Sequence, residues 1–140
     1  MVYVGGDIRD MKERFTWKKD GNYAFYGIKQ VSNQNLIKNS YGFELKPGRT
    51  TIKIIEKPRK VKHLMPFIGL GIYVANHRLY RSIEMTALST LRNEVEITDT
   101  LNLMSQALRA AGHELRGMYA NINTPTDLAQ VKEYMEKKRR

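Results

Sequence analysis

Several acids, an amine and an amide stand where this sequence ends its apolar runs. Asp7 follows Gly5-Gly6 after Val2-Tyr3-Val4, Glu56-Lys57-Pro58 closes the run 51–56, Glu96 opens Glu96-Ile97-Thr98-Asp99, and Asn121 opens Asn121-Ile122-Asn123-Thr124-Pro125. A carboxylate at a strand end, where open α/β sheets place ligands, can hold a hard cation through oxygen. An acid beside an amine can accept from sugar hydroxyls while the ammonium meets a phosphate oxygen. Each piece also has a plain structural use. Asp7 can cap the helix that starts at Ile8, Glu56-Lys57 can be a solvated strand end, Thr98 and Asp99 can cap a helix, and Asn121 and Asn123 can make a polar turn. The three histidines, at 63, 77 and 113, have no metal-ligand spacing, and no Ser-His-Asp or Cys-His set is present. Gly69-Leu70-Gly71 precedes more strand instead of opening a helix, so it fails as a dinucleotide loop.

The elements that must position these residues are legible from periodicity. Residues 2–4 read as a short strand, and Ile8, Met11 and Phe15 mark a helix after it. Residues 23–31 read as a second strand and 32–40 as a loop. Residues 41–45 and 51–56 flank Lys46-Pro47-Gly48-Arg49, which predicts a hairpin. A strand over 67–74 precedes a helix marked by Tyr80, Ile83, Ala87 and Leu91. The next helix is marked by Leu101, Met104, Leu108 and Ala111, with Asp99 or Thr98 as its N-cap and Gly112 as its left-handed C-terminal residue. Residues 114–119 read as a strand. A last helix, capped by Thr124 with Pro125 in its first turn, turns Leu128, Val131 and Met135 inward. Interleaved strands and helices predict an α/β fold with a mixed, mainly parallel sheet flanked by helices, in one domain over 1–140.

Composition narrows the class. Twenty-four Lys and Arg against 14 Asp and Glu give a net charge of +10, which favours anionic partners. The dense basic run is Lys57-Pro58-Arg59-Lys60-Val61-Lys62; the terminal Lys137-Lys138-Arg139-Arg140 suits a helix C-terminus. The longest apolar stretch, 64–75, is broken by Pro66, Gly69 and Gly71 and falls short of the roughly 20 residues that span a bilayer, so no membrane partner is expected. With no cysteine and no signal-like start, a cytoplasmic setting is expected.

In this order, Gly6-Asp7, Glu56-Lys57-Pro58, Glu96-Ile97-Thr98-Asp99 and Asn121-Ile122-Asn123-Thr124-Pro125-Thr126-Asp127-Leu128 resemble the C-terminal, sugar-phosphate-binding half of the sugar-1-phosphate nucleotidyltransferases. The resemblance implies a Rossmann-like fold, nucleotide-sugar synthesis, and sugar 1-phosphate and nucleoside triphosphate as partners. It places Asp7 and Asn121 on a Mg2+ ion, Glu56 on the sugar, and Lys57 on the phosphate as the catalytic cation. Gly42, Gly71 and Glu96 fall at the sugar pocket. Asn121 departs from the family's frequent Asp and offers only a neutral carbonyl oxygen. The family's opening Gly-rich loop, with its Arg and Lys, has no counterpart in these residues. The expectation is a protein incomplete by itself, acting as a homo-oligomer or with a nucleotide-binding half. The alternatives are a noncatalytic binding or regulatory protein of the same fold and, with less support, a basic nucleic-acid binder, for which no groove-reading or stacking motif is present.

Overall fold

The structure, a computed structural model, describes residues 2–4, 7–17, 24–45, 52–90, 92–107, 109–120, 122 and 124–139. Seven strands and four helices alternate along them. In order they are β1 (Val2–Val4), α1 (Asp7–Trp17), β2 (Ala24–Gln30), β3 (Tyr41–Leu45), β4 (Ile52–Glu56), β5 (Phe67–Ala75), α2 (Arg78–Glu84), α3 (Ile97–Gln106), β6 (Ala110–Glu114), β7 (Met118–Ala120) and α4 (Pro125–Arg139), with a 3-10 turn at Gln34–Asn39 before β3.

The central sheet runs β5-β2-β6, and β2 alternates its side chains between two cores as a pleated strand must. Phe25 turns to one face with Met11, Ile68, Leu70 and Leu115; Ala24 and Tyr26 turn to the other with Tyr41, Phe43, Ile54, Leu101 and Met104. Helix α1 covers the first face through Met11, which is fully buried, and Phe15, whose ring meets Phe25 edge-on at 5.4 Å. The β3–β4 hairpin and α3 cover the second. The mixed α/β architecture expected from the sequence is present. Its parallel part among the described residues is the β2–β6 pair, while β2–β5, β3–β4 and β1–β7 are antiparallel.

Several elements differ from the sequence reading. The 32–40 loop contains the 3-10 turn, started by Asn33, whose side-chain oxygen accepts from the Asn35 N–H. Helix α2 stops at Glu84, so Ala87 lies beyond it, and Leu91 lies outside the described residues. Helix α3 stops at Gln106, and Ala111 and Gly112 belong to β6. The Arg109 N–H reaches back to the Met104 carbonyl and closes the helix, after which Ala110 to Glu114 pair in parallel with Ala24 to Ile28. Glycine at 112 answers crowding and not a helix cap: a methyl there would press on Ile28 and Tyr26 at 3.1 Å. The strand expected over 114–119 is split into β6 and β7. In α4 Val131 is buried, but Leu128 and Met135 stay exposed. The hairpin turn 46–49 lies outside the described residues. Among the described residues no helix is long and apolar enough to cross a membrane.

Candidate functional site

Glu56 is the last residue of β4, paired with Tyr41 of β3. The chain then bends sharply. Lys57 takes a left-handed backbone conformation with φ 41°, its N–H donates to the Ser40 carbonyl at 2.8 Å, and Pro58 is buried. A lysine in that region carries strain of about 1–2 kcal/mol, which the surrounding structure must hold in place.

Helix α3 brings the second group of charges. Its N-cap is Glu96, in extended conformation and without a side-chain capping bond, not Thr98 or Asp99 as the sequence reading had it. Thr98 and Thr100 are buried, and Thr100 shares a 2.9 Å hydroxyl contact with Thr86. They are therefore committed to packing, while Asp99 stays in the first turn, where an acid suits the positive helix end. The tether between α3 and the hairpin is Asn102, whose side-chain oxygen accepts from the Ile54 N–H at 2.6 Å and whose amide donates to the Ile54 carbonyl at 2.7 Å. One side chain thus imitates a neighbouring strand and fixes α3 beside the end of β4.

The result is a compact set of opposed charges. Partial burial pushes the Glu56 carboxyl above the usual carboxylate range; Lys57 and Arg92 act to lower it, Glu96 and Asp99 to raise it. Arg92 also bridges Glu94 at 3.7 Å and Glu96 at 3.6 Å. Burial likewise raises the Tyr73 hydroxyl, which feels the charge of Glu56. Tyr41 is buried beside Tyr73, and its hydroxyl is raised strongly by desolvation. The Tyr73 hydroxyl and the Gly71 backbone lie close enough to act on it, yet neither makes a hydrogen bond of normal length and angle, leaving a buried polar atom short of a partner. A cavity of about 480 Å³ borders the cluster at Asp99 and Asn102.

The glycines divide. Gly71 has φ 64° and is exposed on a bulge of β5: Tyr73 pairs with Tyr26 and Gly69 with Ile28, so Leu70, Gly71 and Ile72 stand opposite Gly27 alone. Gly42 is buried, and a methyl there would strike Ile37 and Leu64 at 2.5 and 2.9 Å, which is a packing reason for glycine. Asp7 opens α1. Its side chain, and all of Asn121, lie outside the described residues. The β1–β7 ladder is antiparallel, so Val4 and Ala120, the strand residues that lead toward 7 and 121, stand at opposite ends of it. Among the described residues no group of three or more His, Cys, Asp or Glu could hold a metal ion.

Of the residues singled out in the sequence, the structure therefore gathers Glu56, Lys57 and Glu96. Asn102, Arg92, Tyr41 and Tyr73 join them without a motif in the sequence that marks them. Arg92 carried a weak signal, being four residues before Glu96; Asn102 carried none, because its partner is a backbone 48 residues away.

Carboxylates beside a lysine and an arginine suit a hydroxyl-rich molecule that also bears a phosphate. Comparisons with known proteins point the same way. No protein-family model matches the sequence. A "Bifunctional protein GlmU" from Methanococcus maripaludis is 31% identical over 98 residues, covering 70% of this chain and 24% of that protein. A "Bifunctional sugar-1-phosphate nucleotidylyltransferase/acetyltransferase" from Sulfurisphaera tokodaii is 28% identical over 116 residues, covering 83% and 25%. Among solved structures, a protein described as a glucose-1-phosphate thymidylyltransferase from Bacillus anthracis superposes with a TM-score of 0.73 at 23% identity, over 95% of this chain and 50% of that one. A UDP-glucose pyrophosphorylase complexed with UDP-glucose gives 0.75 at 15% identity, over 97% and 53%. The chain thus spans about a quarter of the curated relatives it matches and about half of the solved ones. It is a relative of part of the sugar-1-phosphate nucleotidyltransferases and has their fold.

Proposed function

We propose that this chain is the sugar-phosphate-binding part of a sugar-1-phosphate nucleotidyltransferase, in which a sugar 1-phosphate attacks the α-phosphate of a nucleoside triphosphate and pyrophosphate leaves. The observation that supports this most is the convergence of Glu56, Lys57 and Glu96 from two elements held together by Asn102. Glu56 accepts from sugar hydroxyls, the Lys57 ammonium meets the phosphate and holds its attacking oxygen in line, and Glu96, kept in place by Arg92, walls the sugar. The exposed Gly71 bulge offers backbone to the same ligand.

The resemblance puts Mg2+ on Asp7 and Asn121, where it would neutralise phosphate charge, but β1 and β7 lead toward 7 and 121 from opposite ends of their ladder, so no step is assigned to the ion. The described residues offer no metal-binding set, so the roles above rest on side chains alone. Triphosphate handling needs basic residues of a Gly-rich loop that these 140 residues do not contain, so a nucleotide-binding half is the expected complement. Association of copies is the other expected partnership, with Tyr80, Met85 and Leu88 all exposed; a concentration-independent monomer in sedimentation velocity would remove it. A cytoplasmic setting goes with this reading.

Calorimetric titration of the chain with glucose 1-phosphate, uridine triphosphate and thymidine triphosphate, each with and without magnesium, tests the proposal. Binding of the sugar phosphate, weakened about tenfold or more by Lys57→Ala, about 1.4 kcal/mol, is the expected outcome. Sugar-phosphate binding that is unchanged in Lys57→Ala and Glu56→Gln would overturn it. Asn121, a neutral ligand where relatives often carry a charge, favours a second reading: a binding protein that retains the ligand without turnover.

A further inference from the structure

The net charge of +10 is not accounted for by the cluster around Glu56, where acids and bases are mixed. Much of it gathers elsewhere. Lys38 of the 3-10 turn and Arg59, Lys60, Lys62 and His63 of the segment after Pro58 line one cavity of about 500 Å³. No acid lines it. His63 faces Glu44 at 3.5 Å, but none of the ion pairs among the described residues involves Lys38, Arg59, Lys60 or Lys62, and all four are exposed.

The walls of this cavity are held from below. Gln34 Nε2 donates to the Leu64 carbonyl at 3.2 Å, the Leu64 N–H donates to the Val61 carbonyl at 3.0 Å, and the Met65 N–H donates to the Phe43 carbonyl at 2.8 Å. Ile37, fully buried, and Val61 and Leu64, nearly so, anchor both walls in the same core. Four like charges on two anchored segments repel one another, a cost that a multiply charged anion removes. Glu56, Lys57, Gly71 and Glu96 do not line this cavity.

We propose that the cavity between the 3-10 turn and residues 59–63 is a second anion site, built for a short chain of phosphates such as a tripolyphosphate or the phosphate tail of a nucleotide. The cations converge on a concavity instead of forming a stripe, and no Phe, Tyr or Trp lines it as a base-stacking platform, so a compact oligophosphate fits better than a nucleic-acid strand.

The test is titration of the 140-residue chain with sodium tripolyphosphate at about 50 mM salt, with inorganic phosphate and a short DNA duplex as parallel arms. One-to-one binding is expected, at least tenfold weaker in K38Q/R59Q/K62Q and within about twofold of the parent chain in Lys57→Ala. Acetylation footprinting reads the same site without substitutions: tripolyphosphate should protect Lys38, Lys60 and Lys62 and leave the exposed Lys53 and Lys132 reactive. Equal affinity in the triple variant, uniform protection of all lysines, or tighter binding of the duplex by the same residues would overturn the proposal. Loss of tripolyphosphate binding in Lys57→Ala would also overturn it, by placing the anion at the sugar-phosphate cluster. Loss of glucose 1-phosphate binding alone would count against the proposed function and leave this site standing.

Discussion

Glu56 and Lys57 are neighbours in sequence with opposite relations to folding. Burial raises the Glu56 carboxyl above its usual 4.5, so the folded chain favours its neutral form. The stability from this group is complete below the ordinary carboxylate range and is lost as pH rises through the raised value. Glu56→Gln should therefore melt higher than the parent chain at neutral pH, with the gap closing below about pH 4.5, as thermal denaturation at a series of pH values would record. Lys57 is strained in its backbone. Replacing it by glycine relieves the left-handed conformation that alanine retains, so Lys57→Gly should be more stable than Lys57→Ala by about 1 kcal/mol in urea unfolding while both lose the ammonium. The acid and the amine were legible as chemistry in the sequence. The strain at 57 was not, since nothing in the residue type announces a positive φ.

Elements show where local pattern suffices and where it fails. Strands β3, β4 and β5 and helix α4 follow from alternation and capping. At α4 the cap has the expected form: the Asp127 N–H donates to Thr124 Oγ1 at 3.2 Å and the Thr124 N–H donates to Asp127 Oδ2 at 2.9 Å. Thr124→Ala should lower stability by about 1 kcal/mol, measured by chemical denaturation. The α3–β6 boundary failed because Leu101, Met104 and Ala111 keep helical spacing although Ala111 instead enters the sheet; Leu108 lies outside the described residues. That choice is made by β2, some eighty residues earlier in the chain, whose edge accepts the small residues Ala110 to Gly112 under Tyr26 and Ile28. The docking of α3 on β4 is equally non-local. Asn102→Ala should cost about 1–3 kcal/mol by stranding the Ile54 N–H and carbonyl, and should weaken sugar-phosphate binding although residue 102 itself is assigned no ligand contact.

At the scale of the described molecule, the central sheet β5-β2-β6 lies between two apolar clusters. Met11 is fully buried in one and Met104 nearly so in the other. Truncating either to alanine should cost about 2–5 kcal/mol, and the double variant should lose close to the sum, because the two belong to separate clusters. Equilibrium unfolding of the three variants checks this. The layered α/β class was legible from the interleaving of strands and helices, but the dominance of antiparallel pairing was not, because strand order depends on contacts far apart in sequence.

The Asn102 bridge gives the Ile54 amide an unusual position: its proton is held by a side chain from a helix and not by a sister strand. Its rate of deuterium uptake accordingly tracks how often α3 lifts from the hairpin, making one backbone amide a spectroscopic gauge of whether Glu56 and Lys57 are assembled with Glu96.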